Sequence, residues 1–96
     1  MEYRLTSEAH ANIAAIAQYI AQDSPDAAVG VLARIERTLQ IITLMPRLGR
    51  MTGHRDTRST VVRRMPYVIV YRQVGDTLEI LSVFHTAQDP KKRAEW

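Results

Sequence analysis

The residue pattern predicts an α+β domain in which a helical hairpin precedes an antiparallel sheet. Two apolar stripes at helical spacing occupy residues 7–45, and runs of β-branched and aromatic residues occupy 58–85. A Gly-Asp pair divides the last two of those runs. Ninety-six residues suffice for one hydrophobic core, so 1–96 reads as one domain.

Taken in order, the elements read β-α-α-β-β-β. Tyr3–Leu5 alternates and predicts a short first strand. Thr6 or Ser7 can cap the helix that follows, and Glu8 suits the positive end of its dipole. Ala9, Ile13, Ile16 and Ile20 form the apolar stripe of that helix, flanked by Ala14, Ala17 and Ala21, to about Gln22. Asp23-Ser24-Pro25-Asp26 then breaks the chain and restarts it, with Ser24 as N-cap and Pro25 at the first helical position. The second helix is expected to bury Ala28, Leu32, Ile35, Leu39 and Ile42 and to end before Pro46. Gly30 inside it costs about 1 kcal/mol relative to alanine, which close packing against the alanine-rich first helix would explain. So short a link makes the two helices antiparallel.

Residues 46–57 have no period and contain two glycines, and they read as a loop. Strands are predicted at 58–65, 67–72 and 77–85, with Gly75-Asp76 as a type II′ hairpin turn. That turn sets a register in which opposite residues sum to 151, placing Arg72 opposite Glu79 and Val70 opposite Leu81. One face then carries Val68, Val70, Leu81 and Val83, and the other Tyr67, Ile69, Tyr71, Leu78, Ile80 and Phe84. With only two helices to cover two apolar faces, the second face is expected to need a partner. Residues 87–96 are polar and charged and read as a flexible C-terminal tail.

Composition narrows the function classes. No apolar run approaches the roughly 20 residues that span a membrane, and the N-terminus has no signal-peptide core. There is no cysteine, hence no disulfide framework or thiolate metal site, and a cytoplasmic location is expected. The net charge of +3 is unevenly spread: between 47 and 72, seven arginines face the single Asp56. Arginine's planar fork suits carboxylate or phosphate, so this segment is either a solvated face or an anion-recognising surface for nucleic acid or acidic protein.

The available chemistry is sparse. His10, His54 and His85 are scattered without metal-ligand spacing, no Gly-rich loop leads into a helix, and no nucleophile elbow is present. No cofactor or metal is expected. Metal-free RNA cleavage remains open, with His85 as acid or base and Arg50, Arg58, Arg63 and Arg72 around the phosphate. A second proton-transfer group is missing, so His85 is read as a structural strand-end residue and the protein as no enzyme.

The order of elements, together with Pro46-Arg47-Leu48-Gly49-Arg50, Arg58, Tyr67-Val68-Ile69-Val70-Tyr71-Arg72 and Ile80 through Val83 to His85, resembles the RelE/ParE toxins of bacterial type II toxin–antitoxin systems. The resemblance implies an antiparallel sheet with the helical hairpin on one face, and a cognate antitoxin as partner. Gly49-Arg50 and His85-Thr86-Ala87-Gln88 are more similar to the ParE branch, which implies a plasmid-stabilisation-like toxin that poisons DNA gyrase without chemistry of its own. That branch commonly has arginine where Gln88 stands. Two alternatives accompany this reading. One is a RelE-like nuclease acting on ribosome-bound mRNA, although His85 lacks the tyrosine that follows it in that branch. The other is a non-toxic remnant that only binds antitoxin. The residues expected to meet antitoxin or target are Arg50, Arg58, Arg63, Arg64, Tyr71, Arg72 and His85. The antitoxin segment is expected to alternate Leu/Val with Asp/Glu and to lie over surface that the helices leave bare.

Overall fold

A computed structural model describes residues 1–87. The chain runs β1 (Glu2–Leu5), α1 (Ser7–Ala21), α2 (Pro25–Leu44), β2 (Arg50–Met51), β3 (Thr57–Val61), β4 (Tyr67–Val74) and β5 (Thr77–His85). The predicted tail falls outside the described residues except for Ala87, and so does Gln88.

Capping chemistry begins both helices where the sequence expects. Thr6 Oγ1 accepts from the Ala9 amide at 3.1 Å, and Ser24 Oγ accepts from the Ala27 amide at 3.1 Å, with Pro25 at the first position of α2. Ala9 of α1 is fully buried, and Ile13, Ile16 and Ile20 pack against the core beside it. In α2 the buried row is Ala28, Val31, Ile35, Thr38, Leu39 and Ile42. Leu32 is therefore not a core residue. One helical step of about 100° separates it from Val31, which carries it off the buried stripe to 37% exposure. Gly30 has no internal packing reason either, because a Cβ placed on it would meet nothing within 4 Å.

The three predicted sheet strands are the centre of a five-stranded sheet ordered β1-β5-β4-β3-β2. The first strand joins it parallel to β5, with Arg4 beside Glu79. Within the segment read as a loop, Arg50 and Met51 pair with Ser59 and Arg58 of β3. The strand predicted over 58–65 stops at Val61, because Arg64 takes a positive φ of 63° in the turn toward Pro66 and Tyr67.

The β4–β5 hairpin follows the expected register only near its turn. Gly75 adopts φ 61°, and the pairs from Val74–Thr77 to Tyr71–Ile80, including Arg72–Glu79, sum to 151. A bulge at Leu81 then shifts the ladder, so that Val70 faces Ser82 and Val68 faces Phe84. Helix α1 holds this bulge. Asn12 Oδ1 accepts from the Val83 amide at 3.0 Å and from the Ser82 hydroxyl at 3.1 Å, while Thr6 Oγ1 donates to the Leu81 carbonyl at 3.1 Å. The shift turns Val83 into the core with Ile69 and Ile80, and pairs Phe84 with Val68 on the opposite face.

One cluster joins the helices to the sheet: Val31, Ile35, Leu39 and Ile42 meet Tyr67, Ile69, Tyr71, Leu78 and Ile80. The face away from the helices is not the bare apolar surface expected from the alternation. Val70 is fully buried and Phe84 is 5% exposed. Large apolar side chains reach solvent at Val61 and Val74 of the sheet, at Leu44, Met45, Leu48 and Met51 around the end of α2, and at Val29 and Leu32 along it.

Candidate functional site

The 46–51 segment is fastened to the sheet by two side chains. The Tyr71 hydroxyl accepts from the Gly49 amide at 2.8 Å and donates to the Pro46 carbonyl at 2.9 Å. Arg58, paired with Tyr71 across the ladder, donates to the Gly49 carbonyl at 2.8 Å. Burial lifts the Tyr71 hydroxyl above the ordinary tyrosine range, against the opposing pull of the Gly49 bond and the Arg58 charge. It is thus a neutral hydrogen-bonding group at physiological pH. Tyr71 and Arg58 shape the surface by holding its loop, and that loop presents the exposed side chains of Arg47, Leu48, Arg50 and Met51.

On the face away from the helices, Glu79 stands between two arginines. Arg4 Nη2 approaches its carboxylate at 2.6 Å from β1, and Arg72 Nη2 at 2.8 Å from β4. The hydrogen bonds from Arg72 and then Arg4 hold the Glu79 carboxyl below its usual range, against a small opposing effect of burial. Arg72 is therefore an ion-paired sheet residue, although its side chain is still 46% exposed.

His85 lies at the other end of the sheet. It pairs with Tyr67, and the two rings meet edge to face with centroids 5.4 Å apart. Its Nδ1 accepts from the Ala87 amide at 2.9 Å, so in the neutral ring the proton sits on Nε2. Arg63 and Arg64 occupy the β3–β4 turn at this same end, where the Val62 amide meets the Tyr67 carbonyl and the Thr86 amide meets that of Pro66. Four residue steps along β4 separate the Tyr67–His85 pair from the Arg58–Tyr71 pair, a distance of about 13 Å. The structure thus divides the proposed arginine–histidine set. Arg50, Arg58 and Arg72 belong to one end of the sheet, and Arg63, Arg64 and His85 to the other.

A groove of about 1050 Å³ runs between α2 and that turn, with Leu32, Ala33, Ile41 and Val62 as apolar lining and Arg34, Arg37, Arg63 and Arg64 around it. Sequence reasoning found Arg63 and Arg64 but not the α2 wall. The signal available for it was the pair Arg34 and Arg37 beside the helix glycine. It also missed Asn12, which no pattern distinguishes from a solvated helix residue. Among the described residues no group of three or more His, Cys, Asp or Glu is placed to hold a metal ion, and no helix is long and apolar enough to cross a membrane.

The sequence model of the family described as "ParE toxin of type II toxin-antitoxin system, parDE" matches residues 3–90. The Sinorhizobium fredii (strain NBRC 101917 / NGR234) protein named "Putative toxin Y4kP" is 38% identical over 85 residues, which cover 88% of each chain. A solved chain from the "Chromosomal ParDE TA system from P. aeruginosa" shares the fold with a TM-score of 0.77, at 22% identity over 88% of this chain and 95% of that one.

Proposed function

The chain belongs to the ParE toxin family of type II toxin–antitoxin systems, and from that premise we propose that it is a growth-inhibiting toxin of the cytoplasm, neutralised by a cognate antitoxin and directed at DNA gyrase. Its action in this reading is to bind gyrase and hold the cleaved-DNA state, with no chemistry of its own. The observation that carries the choice is the separation of His85 from Arg58 and Arg72. Metal-free RNA cleavage needs a base, an acid and cations around one phosphate. Here Nδ1 of His85 accepts from the Ala87 amide, and the hydroxyl of Tyr71 is engaged by the loop. Arginines stabilise charge but are poor proton shuttles near neutral pH.

The ribosome-dependent nuclease remains the second reading, favoured by one arrangement: Arg63 and Arg64 share an end of the sheet with His85. Inducing the toxin and assaying the same cells for gyrase–DNA cleavage complexes and for cuts in ribosome-bound messages separates the two. Trapped gyrase without message cuts supports the proposal. Ribosomal cuts abolished by His85→Gln, with no trapped gyrase, overturn it.

A further inference from the structure

We propose that the pocket between the 46–51 segment and strands β3 and β4 is a phosphate site, with Arg58 as its fixed cation and Arg47 as its outer one. Such a site is independent of which enzyme the toxin attacks.

Arg58 is the leading observation. It is half-buried, and a cation drawn out of water is costly unless charge and hydrogen bonds compensate it. Arg4 and Arg72 are compensated, since they share the Glu79 carboxylate at 2.6 and 2.8 Å. Arg58 has the Gly49 carbonyl at 2.8 Å, and among the described residues no carboxylate lies within ion-pair distance of it. Asp56 lines the same pocket without forming that pair. The Gly49 bond fixes the guanidinium while taking one of its five N–H donors, so a planar fork is held ready for an anion.

Size and charge select the ligand. The pocket measures about 190 Å³, below the roughly 300–1,000 Å³ of sites that enclose a drug-sized molecule, so it takes a group and not a whole cofactor. Arg47, Arg58 and Arg72 line it with Asp56, a balance of +2. Arg72 is already matched by Glu79, which leaves Arg47 and Arg58 to meet the ligand. The Tyr71 hydroxyl is occupied by Gly49 and Pro46, so recognition falls to those two arginines. Pro46 and Met51 add an apolar wall on which the sugar beside a phosphate can rest. A lone carboxylate would also suit one fork. The wider field favours a polyanion, because seven arginines against Asp56 between 47 and 72 attract a chain of phosphates more strongly than an isolated acidic side chain.

The test uses the full chain and two probes, inorganic phosphate and a DNA duplex of arbitrary sequence. Inorganic phosphate is expected to shift the Arg58 Nε–H and Gly49 amide resonances saturably, while sodium chloride at equal ionic strength does not. Arg47→Gln, which removes a charge, and Arg58→Lys, which keeps the charge but removes the fork, should each weaken phosphate binding at least about tenfold. Arg55→Gln removes a charge from the same segment outside the pocket and should change binding less than about twofold. Arg47 is exposed, so its variant tests the site even where Arg58→Lys loosens the 46–51 segment. Competition separates the two sources of the group. Duplex that displaces phosphate, with the same order of variants, makes the ligand a nucleic-acid strand, and duplex that does not compete makes it soluble phosphate. No saturable shift, or an equal loss in all three variants, overturns the site. A glutamate-rich peptide that moves both resonances where phosphate does not makes the pocket a receptor for acidic protein, and the proposal fails.

Discussion

The Tyr71 hydroxyl and the Gly49 backbone are in such close contact that a methyl group on Gly49 would fall 2.6 Å from that oxygen and 2.8 Å from the Ser59 carbonyl. The glycine is required by this approach, and the approach in turn shapes the exposed 46–51 segment. Gly49→Ala should destabilise the fold by about 1–3 kcal/mol through overpacking. Tyr71→Phe should cost about 1–3 kcal/mol, because the Gly49 amide loses its acceptor in a buried place. In the double variant part of the alanine's cost should vanish with the hydroxyl it strikes, so the two effects should sum to less than their parts. Urea denaturation of the four proteins measures this, and strict additivity would show that the two groups are independent.

Glu79 supplies an acid-sensitive link across three strands. Its carboxyl is held below the usual 4.5 by Arg72 and Arg4, so its contribution is present above that value and is lost as pH falls through the folded-state pKa. Both arginines are substantially exposed, at 63% and 46%, so solvent screens the pairs and each is worth no more than about 1 kcal/mol. Glu79→Gln should lower stability at neutral pH, converge with the parent only as pH falls through the depressed folded-state pKa of Glu79, and reduce the dependence on salt. Melting curves across pH and ionic strength check all three.

Asn12 is the helix residue on which the β5 bulge depends. Replacing it with alanine removes the acceptor of both the Val83 amide and the fully buried Ser82 hydroxyl. The expected loss is about 2–3 kcal/mol, with faster amide exchange at Val83 than elsewhere in β5. Equal exchange along the strand would mean that the bulge is held by the ladder alone.

Toxicity should follow exposed charge more than the histidine. His85→Gln is expected to leave growth arrest intact, while Arg50→Glu should reduce target affinity by at least about tenfold by reversing a charge on an exposed strand. Arg58→Glu is a poorer test, because it also removes the bond to the Gly49 carbonyl. Growth curves after induction, with protein levels measured in parallel, decide between them. Toxicity lost with His85→Gln and kept with Arg50→Glu would reverse the assignment.

Local signals determined much of this protein. Thr6 and Ser24-Pro25 begin the helices, Pro46 ends the second, Gly75-Asp76 forms the hairpin turn, and Arg72 meets Glu79 beside it. Each is set by residues within a few positions of one another, where backbone geometry and capping chemistry act without help from the rest of the chain. The tertiary structure decided what depended on distant groups. Asn12 and Thr6 stabilise a bulge 70 or more residues away, and that single extra residue exchanges the faces of Val83 and Phe84. Packing against the sheet chose Val31 over Leu32, two neighbours that an apolar stripe does not separate. The arginine-rich segment was legible as charge, but only the strand pairing could part Arg58 and Arg72 from His85, because distance between side chains is a property of the ladder and not of composition.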